Sequence, residues 1–251
     1  MLALDWGFFA IAAPAVVFAG ISKSGFGSGA AFAASSILAL VLEPGQALGI
    51  MLPLLMVMDV TSLRPWWGKW HGPSALFLAL GAIPGVALGA ALYSVADADL
   101  FRLLIGGISI GFVAWQAGRG MGWIKGAGRA LPDWAGGLAG MVAGFTSFVS
   151  HAGGPPAAVY LLSKQLTKGQ YQATTVIVFW MVNIFKVVPY AFLGIFTWDT
   201  LRADLALAPF AVLGALLGVR LHHLVPERQF FLLTYVLLTC TGAKLIWDAL
   251  T

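Results

Sequence analysis

Two short stretches hold most of the groups in this chain that can grip a solute. The first is Gly20-Ile21-Ser22-Lys23-Ser24-Gly25-Phe26-Gly27-Ser28-Gly29. The second, 124 positions later, is Gly144-Phe145-Thr146-Ser147-Phe148-Val149-Ser150-His151-Ala152-Gly153-Gly154-Pro155-Pro156. Their hydroxyls are uncharged donors suited to oxyanion oxygens. A helix starting at Gly153-Gly154, with Pro155-Pro156 in its first turn, would aim unpaired amides and a positive dipole end at the break, which favours an anion. Lys23 lies inside the first stretch, and Lys186 has Asn183 one turn away on the same helix face. A charge at membrane depth is costly unless paired or wetted, so both lysines and Asp59 are functional candidates. Two readings stand side by side: Lys23 and Lys186 neutralise a bound anion, or a lysine forms a structural pair with Asp59. His151 is either a proton carrier or a neutral hydrogen-bonding group. The candidate substrate contacts are Ser22, Lys23, Ser24, Gly25, Gly27, Thr146, Ser147, Ser150, His151, Gly153, Gly154, Asn183 and Lys186. Asp59 and His151 are candidates for coupling or structural roles.

The chain around these stretches is apolar. Of 251 residues, 60% are hydrophobic and 10% charged, and the mean hydropathy is +0.90. Soluble domains carry about 25% charged residues, so this chain cannot cover a water-facing surface. Its long continuous apolar runs read as membrane helices, not as the alternating strands of a barrel. The net charge of +4 does not point to nucleic acid, because the bases sit in short loops between apolar runs. Cys240 is the single cysteine, which excludes an intrachain disulfide and a thiolate metal cluster. No metal or cofactor is expected. The residues Gly25 to Gly29 resemble a nucleotide loop only superficially, lacking the Gly-Lys-Ser/Thr ending. No nucleophile and base stand at a workable spacing. Met1 to Trp6 lacks the basic region of a signal peptide and reads as uncleaved.

Apolar segments run over 7–22, 28–42, 44–63, 73–94 and 99–117, then over 132–148, 153–163, 169–193, 203–221 and 228–248. Most suit a helix crossing about 30 Å. Segments 28–42 and 153–163 are too short, and read as arms of re-entrant hairpins meeting inside the membrane. Gly81, Gly85 and Gly89 form a small-residue packing face. At the offset of 124, Gly20 matches Gly144, Ser22 matches Thr146, Gly29 matches Gly153, Gln46 matches Gln170, Asp59 matches Asn183 and Pro65 matches Pro189. The expected architecture is therefore an all-α polytopic membrane protein of two repeats, 1–124 and 125–251, each a broken helix or re-entrant hairpin plus three spanning helices. Placing Arg64, Lys69, Arg119, Lys125, Arg129, Lys164, Lys168, Arg220 and Arg228 in the cytoplasm makes the halves inverted and puts both termini outside. The competing arrangement, eight simple spans with parallel halves, leaves Lys164, Lys168, Arg220 and Arg228 outside.

Several of these residues also carry a resemblance. Gly20-Ile-Ser-Lys-Ser-Gly-Phe-Gly-Ser-Gly29, Leu52-Pro53 with Asp59, Gly144-Phe-Thr-Ser, Ala152-Gly-Gly-Pro-Pro156, Tyr160-Leu161 and Asn183, Lys186 and Pro189-Tyr190 resemble the TauE/SafE sulfite-exporter family, also called the toluene-sulfonate uptake permeases. The chain departs from the usual family pattern at Ala30, at Ala34-Ser35-Ser36, and at His151, where an asparagine is more usual. The resemblance implies a multi-pass carrier of the bacterial inner membrane for sulfite or sulfonates such as sulfoacetate, with Lys23, Thr146, Asn183 and Lys186 at its site. The expected function is a secondary transporter, an exporter of a small sulfur-containing anion, working by alternating access at the two breaks. The alternative from another class is an intramembrane enzyme or membrane-protein assembly factor. The expected partners are the anion and the lipid bilayer; a homodimer is compatible with the sequence but not encoded by any visible feature.

Overall fold

The computed structural model describes residues 4–26, 31–123, 130–221 and 227–251, and within them regular structure is entirely helical. The helices are α1 (Trp6–Ile21), α2 (Phe32–Leu38), α3 (Pro44–Leu63), α4 (Gly72–Val95), α5 (Ala98–Gly120), α6 (Asp133–Ser150), α7 (Gly154–Ser163), α8 (Lys168–Phe192), α9 (Trp198–Leu221) and α10 (Glu227–Leu250). A π-helical turn, Ser22–Phe26, extends α1. Polar residues start the long helices where the sequence leaves an apolar run. The Asp5 Oδ1 accepts from the Phe8 amide at 2.9 Å, and Asp97 Oδ1 from the Leu100 amide at 2.8 Å. Thr167 and Gln170 close a capping box at the start of α8. Among the described residues, seven helical stretches are long and apolar enough to cross a membrane: Trp6–Gly25, Pro44–Trp66, Gly72–Val95, Ala98–Gly120, Lys168–Phe192, Trp198–Gly218 and Arg228–Leu250. The protein is an all-α polytopic membrane protein.

Packing gives the bundle two chemically different ends. At one, α3, α5, α7 and α9 finish while α4, α6, α8 and α10 begin, bringing Arg64, Lys69, Arg119, Lys164, Lys168, Arg220 and Arg228 together. The opposite end carries Asp5, Glu43, Asp97, Asp99, Asp199 and Asp248. There Arg102 bonds Asp99 at 2.6 Å and Glu43 at 3.2 Å, tying α5 to the start of α3. Lys244 pairs with Asp248 one turn away. These two bases therefore pair with carboxylates at the helix ends.

Two helix pairs run side by side in the same direction. Helix α4 lies on α6, with Gly81 against Gly137, Gly85 against Met141 and Gly89 against Phe148. Helix α1 lies on α9, with Val17 against Gly214 and Ile21 against Gly218. Helices α3 and α8 cross in the interior, and α5 packs antiparallel to α10, where Gln116 Nε2 donates to Tyr235 Oη at 2.9 Å. Helix α7 turns back along α6, and Lys164 Nζ meets Asp133 Oδ1 at 2.6 Å across their open ends.

The two polar stretches are shorter interruptions than the sequence suggests. Gly20 to Phe26 stays helical, with the π turn at its end, and Gly144 to Ser150 is ordinary helix up to His151. The glycines are there for close approach. A Cβ on Gly20 would fall 2.7 Å from the Ala215 amide nitrogen of α9, and one on Gly144 would strike the Ala82 carbonyl of α4. Only His151 to Gly153 breaks the second stretch. The first stretch ends outside the described residues, as do Gly27, Ser28 and Gly29. Helix α9 starts at Trp198, earlier than the apolar run beginning at 203, because Thr197 and Thr200 cap each other's amides at 2.9 and 3.1 Å.

Candidate functional site

The π turn of the first polar stretch and the break at His151 meet α3 and α8 in the interior. Lys23 projects from the π turn to Asp59 on α3, with Nζ 2.8 Å from Oδ1. The other Asp59 oxygen, Oδ2, accepts from Asn183 Nδ2 of α8 at 2.7 Å. One turn along α8, Lys186 Nζ donates to the Ser147 carbonyl at 3.1 Å and meets His151 Nδ1 at 2.8 Å. The ring's other nitrogen, Nε2, faces the Leu48 carbonyl at 3.3 Å. A carbonyl only accepts, so Nε2 carries the proton, and Nδ1 accepts from the lysine. Asp59 and Lys186 are both fully buried and Lys23 is 5% exposed. Among the described residues, Asp59 is the sole carboxylate bonded to either lysine.

His151 owes its position to the backbone. It ends α6 in the left-handed region at φ 58°, where histidine is tolerated better than most residues. Its amide and that of Ala152 bond back to the Ser147 and Thr146 carbonyls at 3.0 and 3.2 Å. The Thr146 hydroxyl sits 2.9 Å from the Val142 carbonyl and 3.0 Å from that of Ala152, pinning the two sides of the break. The Ser150 hydroxyl donates to the Thr146 carbonyl at 3.2 Å. Helix α7 then starts at Gly154, with Gly153 as N-cap and no side-chain cap.

These groups enclose a cavity of about 10 Å³ lined by Lys23, Ala31, Leu55, Ser147, His151, Gly154, Phe179 and Asn183. Two lysines, a histidine, an amide side chain and a helix amino end thus converge on one buried point, with no nucleophile–base pair among them. The sequence profile of the family described as Sulfite exporter TauE/SafE matches residues 12–245. The chain belongs to the TauE/SafE family. It is a membrane transporter and not an enzyme, which removes the intramembrane-enzyme alternative. No curated protein and no solved structure matches it.

Within this TauE/SafE chain, Lys23, Ser147, His151, Gly154 and Asn183 line the cavity, while Lys186 reaches it through His151 and Ser147. Thr146 and Ser150 direct their hydroxyls to backbone carbonyls, and Gly153 packs on Phe179. Ser22 is buried beside them in the π turn, and Ser24 faces away, its hydroxyl 3.0 Å from that of Ser62. Gly25 lies against Gly218 of α9. Gly27 lies outside the described residues.

Three features were not among the site candidates read from the sequence. Tyr190 donates to the Phe148 carbonyl at 2.8 Å and begins an aromatic run through Phe148, Tyr93 and Phe101 toward the acidic end, with centroids 4.9, 6.4 and 4.9 Å apart. Asp204 on α9 is buried with Oδ1 lacking a hydrogen-bond partner. Its signal was available, a lone acid inside an apolar run. Two larger cavities flank the centre. One of about 570 Å³ opens at the basic end, and one of about 290 Å³ at the acidic end.

Proposed function

We propose that this TauE/SafE member is a secondary transporter that exports a small sulfur-containing anion, sulfite or an organosulfonate such as sulfoacetate, across the bacterial inner membrane. The observation that carries the reading is the group of amines at the central cavity: Lys23 and Lys186 converge there with Asp59 as the sole carboxylate bonded to either among the described residues. With both amines protonated, one positive charge lacks a counterion. A buried charge of this kind is costly in a membrane, and an anionic cargo offsets it. Ser147, Asn183 and the Gly154 end of α7 add donors without adding charge. The family membership gives the sulfur anion as the cargo class.

A cavity of about 10 Å³ holds no more than one water, so sulfite enters only if the surrounding elements separate. This conformation is thus a closed state of an alternating-access cycle. Repeats 1–124 and 125–251 supply the moving units, as inverted copies each made of a hairpin (α1–α2, α6–α7) and three longer helices. The matching pairs α1 on α9 and α4 on α6 support that symmetry. The basic end is cytoplasmic and both termini are periplasmic, by the distribution of lysine and arginine.

The test is binding by the purified protein, read as thermal stabilisation with sulfite, sulfoacetate, isethionate, taurine and sulfate. Saturating ligand at about 100 times its Kd stabilises by about 2.7 kcal/mol. The expected result is a shift with sulfite or a sulfonate that is smaller in Lys186→Met. No shift with any of these anions, or an equal shift in Lys186→Met, overturns the proposal.

A further inference from the structure

The cavity at the basic end has the charge and the position of a second anion site. Its volume is about 570 Å³, and its walls include Arg119, Lys168, Gln165 and Gln172 beside Trp66 and Tyr171. No carboxylate stands among its described lining residues. The cavity at the acidic end has the reverse character, with Glu43 and Asp97 and no base in its lining. Clefts lined by one sign of charge concentrate the opposite ion. The half-buried Arg119 guanidinium lies over the Trp115 ring at 5.2 Å, which fixes its plane at the rim.

The basic-end cavity also shares its inner wall with the central one. Ser24 and Gly25 line it, and Lys23, the preceding residue, lines the centre. Helix α7 reaches both, through Leu161 and Gly154. The partition is therefore the π turn, tied to α3 by the Ser24–Ser62 contact at 3.0 Å and the Lys23–Asp59 pair at 2.8 Å. On the acidic side the aromatic run from Tyr190 to Phe101 intervenes instead.

We propose that the basic-end cavity is a loading vestibule, a distinct anion site in which Arg119 captures the cargo before the π turn admits it to the centre. The inference rests on the proposed function for the cargo being an anion; the site itself is defined by its own residues. Its apolar walls, Trp66, Tyr171 and Leu161, accommodate an organic anion with an apolar body as well as an inorganic one.

A thiol at the vestibule wall reads its charge directly. In a Cys240→Ala background, Gln172→Cys is reacted with an anionic methanethiosulfonate (ethylsulfonate) and a cationic one (ethyltrimethylammonium), each rate normalised to a free thiol. The anionic reagent is expected to react about tenfold faster, the enrichment such a cleft gives. The ratio should fall to near one in Arg119→Gln/Lys168→Gln, and isethionate should slow labelling. Lys186→Met, which removes the central charge, should leave both the ratio and the protection intact. A ratio at or below one, a ratio unmoved by the double variant, or loss of protection in Lys186→Met overturns the vestibule. Anion-driven thermal shifts of equal size in wild type and Lys186→Met, with the ratio and protection intact, reject the central-site proposal and leave the vestibule standing.

Discussion

Asn183 donates to Asp59 at 2.7 Å, and the two residues are 124 positions apart, the separation that also relates Gly20 to Gly144. In the proposed inverted repeat, equivalent residues touch only on the two-fold axis, so the axis passes through this hydrogen bond. The chemistry on either side of it is not symmetric. In the first half the break supplies the cation and the long helix the acceptor, Lys23 to Asp59. In the second half the long helix supplies the cation and the last turn of α6 the acceptor, Lys186 to the Ser147 carbonyl. Ser147 stands at the repeat position of Lys23, and Ser62 at that of Lys186. Exchanging which element carries the lysine sets the two ammonium groups around one carboxylate.

Asp59 is consequently the residue whose loss the core tolerates least. Asp59→Ala leaves Lys23 buried without its partner and Asn183 without its acceptor, a change that costs about 3–5 kcal/mol. The double variant Lys23→Met/Asp59→Leu removes both charges and should recover most of that loss. Thermal unfolding in detergent, followed by circular dichroism or by tryptophan fluorescence, measures the difference. Equal stability of the single and double variants would contradict a buried pair.

His151 combines a backbone role with its side-chain contacts. Asparagine accepts the left-handed conformation readily, whereas alanine there costs about 1–2 kcal/mol. Alanine also strips the Leu48 carbonyl and Lys186 of their imidazole partner. The expected order of Tm is wild type, then His151→Asn, then His151→Ala. Should the alanine variant match or exceed the asparagine variant, backbone conformation is not what holds this position.

The order and number of helices were legible because lipid-facing helices must be apolar along their whole length. The shortness of α2 and α7 was legible because segments 28–42 and 153–163 are too short to span. What Gly20 and Gly144 do was not. Both read as helix breakers, and both are helical contacts onto α9 and α4, because a close-packing partner lies far along the chain. Asp59 and Lys186 stood out as ionisable groups in apolar sequence. Which lysine Asp59 would meet depended on how the π turn aims Lys23, and no spacing encodes that. The basic-end cavity was invisible for a similar reason, since the π turn, Trp66, α5, α7, α8 and α10 converge only in three dimensions.

Asp204 offers a test of cost without compensation. Its Oδ1 is buried on α9 without a hydrogen-bond donor, and an unsatisfied buried polar group costs about 1–3 kcal/mol, more when charged. Asp204→Asn cannot ionise and should raise the Tm, whereas Asp204→Leu tests whether the space accepts an apolar side chain. A lower Tm for Asp204→Asn would mean that the carboxylate has a partner in the working protein.

The two ends of the bundle can be assigned to the two sides of the membrane by labelling. Lys164 bonds Asp133 at 2.6 Å, so the last turn of α7 emerges where α6 begins. A chain of eight simple spans with parallel halves would instead separate these two residues by the membrane thickness. In a Cys240→Ser background, Lys164→Cys and Arg220→Cys should react with an impermeant thiol reagent only when the cytoplasmic face is exposed. Asp97→Cys and Thr251→Cys, at the acidic end, should react from the periplasm in intact cells. The positive-inside rule fixes this sign, because basic loops are retained in the cytoplasm. Labelling of Lys164→Cys and Arg220→Cys from the periplasm alone would reverse the orientation, and the cytoplasmic vestibule would become an external one. Labelling of Lys164→Cys and Asp97→Cys from the same face would break the hairpin topology itself, and with it the convergence of the two breaks on Asp59.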